Sequence, residues 1–236
     1  MNFDSKTTSE PESISTHYLR GTVLAVQANF YQVRLDAEQP SAQCDMLLCT
    51  RRSRLKKLGQ RVMVGDQVEI EEPDWQGGRG AIAGILPRQS ELDRPPIANA
   101  NQILLVFALE DPTLDPHQLS RFLVKAESTK LQVCLCLSKS DLVSPQQQHE
   151  WQHRLLQWGY EPLLISTYQK QGLPELVNQL SQRITVVCGP SGVGKSSLIN
   201  DLVPEANLRV GDVSGKLARG RHTTRHVELF TLPSGG

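Results

Sequence analysis

Apolar and polar residues alternate along this chain in two different rhythms. Between Tyr18 and about Arg88, apolar residues fall in short strand-like runs, alternating with polar ones most clearly in the second and fourth: "GTVLAVQ", "FYQVRLD", "CDMLLC", "DQVEIEE" and "RGAIAGIL". Asn, Gly, Pro and Asp separate them. Period-two runs of this length predict half-buried strands. Five such strands in about seventy residues predict a small closed barrel, of OB type or of the SH3 type that would read almost the same.

After "RPPIANANQ" the rhythm changes. Continuous apolar runs, "ILLVFA" (103–108), "QVCLCL" (132–137), "PLLIS" and "ITVVC", predict strands buried on both faces. Helical stretches lie between them. Leu119, Phe122, Leu123 and Ala126 fall on one face of the first. The second has Ser144 as cap, Pro145 in its first turn and Gly159 as its stop. The third places Leu173, Leu176, Val177 and Leu180 together. Alternating strands and helices predict an α/β unit, a parallel sheet with helices on both faces. The expected organisation is a polar, disordered tail (1–17), a barrel (18–88) and an α/β domain (89–236).

Composition narrows the function classes. With Lys and Arg balanced by Asp and Glu, net charge is zero, so any nucleic-acid partner must be met by a local patch. One exists: "RRSRLKKLGQR", carrying Arg51, Arg52, Arg54, Lys56, Lys57 and Arg61 without an acid, between the third and fourth strands. On an OB-like barrel such a stretch suits phosphate contacts along RNA; on charge alone a solvated loop is an equal reading. No apolar run is long enough for a membrane helix, and the start lacks a signal-peptide core. Five cysteines without C-x-x-C predict no disulfide framework, and Cys134 and Cys136 read as small buried hydrophobes. A cytoplasmic monomer is expected.

The sharpest chemical signal is Gly189 to Ser196, "GPSGVGKS", which satisfies G-x-x-x-x-G-K-[ST] between a β-branched strand and a helix. Gly189, Pro190, Ser191, Gly192, Val193 and Gly194 would line a phosphate cradle with backbone N–H groups. Lys195 would bridge β- and γ-phosphates, Ser196 would ligate Mg²⁺, and Ser197 continues the loop into the helix. The helix N-terminus adds partial positive charge. The pattern does not say which nucleotide.

"SKSD", Ser138, Lys139, Ser140 and Asp141, ends a buried strand and resembles the N-K-x-D element of GTPases, with Ser138 in place of Asn. Asp141 could accept from the ring N–H and exocyclic amine of guanine, Lys139 could lay its stem along the ring, and Ser138 has a shorter reach than Asn. Taken alone, an ordinary polar turn is the better reading. Ser166 and Thr167, ending the next strand, resemble the Ser-Ala element that also touches guanine. Base reader, second base contact and phosphate loop therefore occur in the reverse of the usual order, each at a strand end. Circular permutation of a GTPase domain gives this order, since the ligand requires only that strand ends converge.

The chain resembles the small ribosomal subunit biogenesis GTPases, the RsgA/YjeQ family, on "PIANANQILLVF", "LSKSDL", "CGPSGVGKSSLIN" and "SGKLARGRHTTRHVELFTL". The resemblance spans about residues 18 to 233. It implies an N-terminal OB-fold, a permuted GTPase with GTP/GDP and Mg²⁺, and a zinc-binding C-terminal domain. It also implies binding to 16S ribosomal RNA and the 30S subunit late in assembly, with GTP hydrolysis linked to release. Within "GRHTTR", Thr223 or Thr224 matches the switch threonine that joins Mg²⁺, and His222 the position that helps orient water.

Two family features are missing. A D-x-P-G element is expected beyond the strand "HVELFTL", and a Cys/His cluster for Zn²⁺ beyond that; the sequence stops at "TLPSGG". A fragment or truncated protein is therefore the expectation. A guanylate-type kinase shares the "GPSGVGKSS" loop but places it near its N-terminus, and a non-catalytic RNA-binding protein liganded by GTP is the other alternative.

Overall fold

A computed structural model describes residues 18–36, 45–208, 227–233 and 235–236. Five strands, β1 (Leu19–Gln27), β2 (Phe30–Leu35), β3 (Met46–Arg51), β4 (Gln67–Asp74) and β5 (Arg79–Ile85), close in the order β1-β2-β3-β5-β4. The parallel β3–β5 pair and the helix α1 (Ser53–Lys57) between β3 and β4 give the OB rather than the SH3 arrangement. Alternation holds: Val23, Val33, Leu47, Cys49, Val68, Ile70 and Ile82 fill the barrel. Burial pushes the Cys49 thiol up to about 12, so it behaves as a small hydrophobe. Cys44 lies outside the described residues.

The hairpin of β6 (Glu91–Asp93) and β7 (Pro96–Ala98) joins the barrel to the second unit. Asp66, fully buried, receives Arg88 Nε at 2.7 Å and Nη2 at 2.9 Å, and its Oδ2 also accepts from the Met63 amide. Asn99 Nδ2 donates to Gly65 O at 2.8 Å. A Cβ on Gly65 would collide with the Ala98 carbonyl, and φ is +86° there, so this close approach requires glycine.

The second unit is a parallel sheet in the order β10-β9-β8-β11: β8 (Gln102–Ala108), β9 (Gln132–Ser138), β10 (Leu163–Leu164) and β11 (Thr185–Cys188). Helices α2 (Pro116–Glu127), α3 (Pro145–Gln157), α4 (Leu173–Leu180) and α5 (Lys195–Leu202) connect or follow these strands. Local chemistry explains the boundaries. Asp115 caps α2 by accepting from the His117 amide, and Ser144 with Gln147 forms a capping box on α3. Leu119, Leu123 and Ala126 pack with Leu105, Leu135 and Leu155 on one side of the sheet. Leu104, Val106, Cys136, Leu176, Leu180 and Leu198 pack on the other. Cys136 is buried as expected, with its thiol pushed well up by desolvation, while Cys134 is half-buried.

One expectation is corrected. The stretch "HVELFTL" reads as a strand, but among its described residues only Glu228 forms a β-bridge, antiparallel to Ala25 of the barrel. Its alternation is satisfied differently. Val227 and Leu229 face the cluster of Val64, Ile97, Ala100 and Val186, whereas Phe230 and Leu232 join the α4–α5 side of the sheet. The Leu229 amide bonds to Leu24 O, so the segment straps the two units together.

Candidate functional site

Parallel strands bring their C-terminal ends to one edge of the sheet, where ligands of α/β proteins bind. Ser138 ends β9, Ser166 follows β10, and Gly189 follows β11. The three sequence elements thus meet, and hydrogen bonds join them.

Ser138 is buried, its Oγ 2.6 Å from the Val193 carbonyl and 3.2 Å from that of Phe107. The hydroxyl therefore ties the end of β9 to the middle of the phosphate loop. Asp141 Oδ1 accepts from Ser166 Oγ at 2.5 Å, which links the candidate base reader to the second loop. Ser166 Oγ in turn accepts from the Gln169 amide at 3.0 Å. Reciprocal Ser166–Gln171 backbone bonds close that loop, with half-buried Thr167 inside it. Ser140 is buried; its amide donates to Ile165 O and its carbonyl accepts from Gln148 Nε2.

Lys139 adopts a left-handed conformation, φ +54°, which turns the chain sharply out of β9 into the 3₁₀ turn Ser140–Leu142. Its Nζ donates to the Asp111 main-chain oxygen and lies 3.3 Å from Asp111 Oδ2. Nothing in the sequence pattern pointed to Asp111.

The phosphate loop has the geometry its glycines allow. At Gly189, φ is +147° and a Cβ would strike the Val106 carbonyl, so only glycine lets the loop leave β11 against β8. Gly194, at φ +89°, starts α5. Val193 is buried beneath the loop and Ser191 is exposed on it; Pro190, Gly192, Ser196 and Ser197 are half-buried. Lys195 Nζ donates to Gly189 O at 3.0 Å and to Pro190 O, so the ammonium stands within the loop. Burial lowers the Lys195 pKa from its ordinary value, while the neighbouring Cys188 works in the opposite direction. Lys170 and Asp201, 2.5 Å apart, brace the second loop against α5.

A glycine-built cradle, a partly desolvated cation and helix-terminal N–H groups are the donor set a phosphate chain needs, and the cradle fits one. His222, Thr223 and Thr224 lie outside the described residues. Among the described residues no cluster of His, Cys, Asp or Glu could hold a metal ion, and no helix is long and apolar enough to cross a membrane. A cavity of about 1050 Å³ lies elsewhere, between the barrel and β11, lined by Leu24, Arg34, Arg183, Val186 and Leu229 among others.

The basic stretch on the barrel is less uniform than its sequence. Arg52 pairs with Glu71 and Glu72, and Arg54 donates through Nε and Nη2 to Ala83 O at 3.0 and 2.6 Å. Arg51 donates to Gln60 O. Lys56, Lys57 and Arg61 are exposed.

The RsgA GTPase family model matches residues 85–236. The chain is similar to the small ribosomal subunit biogenesis GTPase RsgA 1 of Nostoc sp., 63% identical over 240 residues that cover 94% of this chain and 65% of that protein. It therefore spans just under two thirds of that relative's length. Among solved structures, YjeQ from Thermotoga maritima is 28% identical with a TM-score of 0.75, covering 93% of this chain and 72% of its own. YloQ, described as a circularly permuted GTPase, is 30% identical with a TM-score of 0.65, covering 82% and 68%.

Proposed function

This chain belongs to the RsgA GTPase family, and from that membership we propose that it binds GTP and GDP at the C-terminal edge of its parallel sheet and hydrolyses GTP. The observation that carries the reading is the Ser138–Val193 hydrogen bond, which ties the end of β9, where the candidate base reader begins, to the phosphate loop. In this reading Asp141 recognises guanine, Ser166 and Thr167 close over its edge, and the amides of 189–194 cradle the phosphates. Lys195, whose ammonium donates to the Gly189 and Pro190 carbonyls, would exchange those acceptors for β- and γ-phosphate oxygens. Ser196 would hold Mg²⁺ with Thr223 or Thr224, and the ion would neutralise charge on the β- and γ-phosphates. His222 is assigned to orienting water by family resemblance.

The partner in this reading is the small ribosomal subunit, with exposed Lys56, Lys57 and Arg61 of the barrel against the phosphates of its 16S RNA. The protein would act in the cytoplasm as a monomer, with residues 18–88 as the RNA-facing unit and 89–236 as the nucleotide unit. Titration with fluorescent GDP, competition by GTP and ATP, and phosphate release from GTP test it. The expected result is competition by GTP but not ATP, with release abolished by Lys195→Ala. Equal competition by ATP contradicts the guanine site; tight GTP binding without release would make the protein a GTP-liganded binder rather than an enzyme.

A further inference from the structure

We propose that Asp111 is a positioning residue for guanine recognition, acting through Lys139; the inference rests on the nucleotide site proposed above. Asp111 stands three residues beyond the end of β8 and Lys139 immediately beyond β9, and the two strands pair directly, Ala108 against Ser138. Both residues have positive φ, +50° and +54°, so each chain turns abruptly where its strand ends. The Lys139 ammonium is fixed twice, by the Asp111 main-chain oxygen and by the carboxylate 3.3 Å away. Its four-carbon stem is thereby stretched across the gap between adjacent strand ends, two residues from the carboxylate of Asp141.

An unrestrained lysine samples many rotamers and must be ordered when a base settles on its stem. Tethered at the tip, the stem is ordered beforehand and presents methylene groups to a ring face, while the charge is held by Asp111. The Lys139 side chain is 24% exposed and that of Asp111 64%, so the carboxylate holds the ammonium from the solvent side. An ion pair so exposed contributes modestly. The main-chain contact also survives any substitution at 111, so the effect of removing the carboxylate is limited.

The test is GDP affinity by titration calorimetry on the 236-residue chain. The variants are Asp111→Gly, which removes the carboxylate without opposing the left-handed φ, and Asp111→Asn, a second variant that keeps the side chain's shape. Each is made in the parent and in a Lys139→Met background, where the stem remains without its charge. Asp111→Gly should lower GDP affinity about three- to fivefold in the parent, with a smaller loss for Asp111→Asn, and neither should matter in the Lys139→Met background. Parent-like affinity for both variants, or the same loss in the Lys139→Met background, overturns the proposal and leaves Asp111 with only a loop role. If Asp141→Asn also leaves the preference for GDP over ADP unchanged, the nucleotide-site reading itself has failed, and this inference with it.

Discussion

The Ser138 hydroxyl, at the end of β9, bonds to the Val193 carbonyl inside the phosphate loop, 2.6 Å away. Residues far apart in the chain are thereby held in one crevice, and the bond occupies the position where the sequence departs from the Asn of the GTPase element. A short side chain suffices because Ser138 is buried directly against the loop. Replacing it by Ala leaves a buried carbonyl without this donor, which costs about 1–2 kcal/mol. Ser138→Ala should therefore lower the unfolding free energy by about that amount and weaken GDP binding in parallel, as read by urea unfolding with and without GDP.

Lys195 carries an opposite balance. Its ammonium is partly desolvated within the loop, which disfavours the charged form in the folded protein. A neutral side chain of similar length relieves that penalty but gives up the bonds to the Gly189 and Pro190 carbonyls, so Lys195→Met should melt close to the parent without nucleotide. It should also lose the rise in melting temperature that GTP or GDP confers on the parent. Thermal unfolding with and without nucleotide checks both, and a retained nucleotide-dependent rise would remove Lys195 from the site.

On the barrel, charge that looks uniform in sequence divides by partner. Lys56→Gln with Lys57→Gln should reduce the log–log salt slope of RNA binding by about 0.7 to 0.9 for each phosphate no longer neutralised. Arg54→Ala should lower that slope less than either lysine change, because two of its guanidinium N–H groups are spent on the Ala83 carbonyl rather than free for phosphate. It should also destabilise the barrel by about 1 kcal/mol. Salt-dependent RNA binding and denaturant unfolding separate the two effects.

Local signals made much of this legible in the sequence. Alternation at Val23, Val33 and Val68 marked the barrel strands, and Ser144, Pro145 and Gly159 bounded α3. The glycines of 189–194 marked the loop whose close approach to Val106 requires them. What could not be read were contacts set by tertiary placement. Glu71 and Glu72 reach Arg52 only because β5 pairs with both β4 and the end of β3, and Asp111 reaches Lys139 only because β8 pairs with β9. The segment after Val227 alternates like a strand, yet its two faces serve two different clusters rather than a ladder. Periodicity reports which side chains are buried, not against what.

Every role proposed for the crevice requires that Asp141 and the phosphate loop read one guanine nucleotide. Calorimetric binding of GDP, ADP and xanthosine diphosphate to the parent chain and to Asp141→Asn tests this most directly. Xanthine carries a carbonyl where guanine carries its amine, so an amide at 141 can donate where the carboxylate accepted. The parent should bind GDP over both others, and Asp141→Asn should move the preference to xanthosine diphosphate, with ADP weak throughout. An unchanged GDP preference in Asp141→Asn would contradict the assignment.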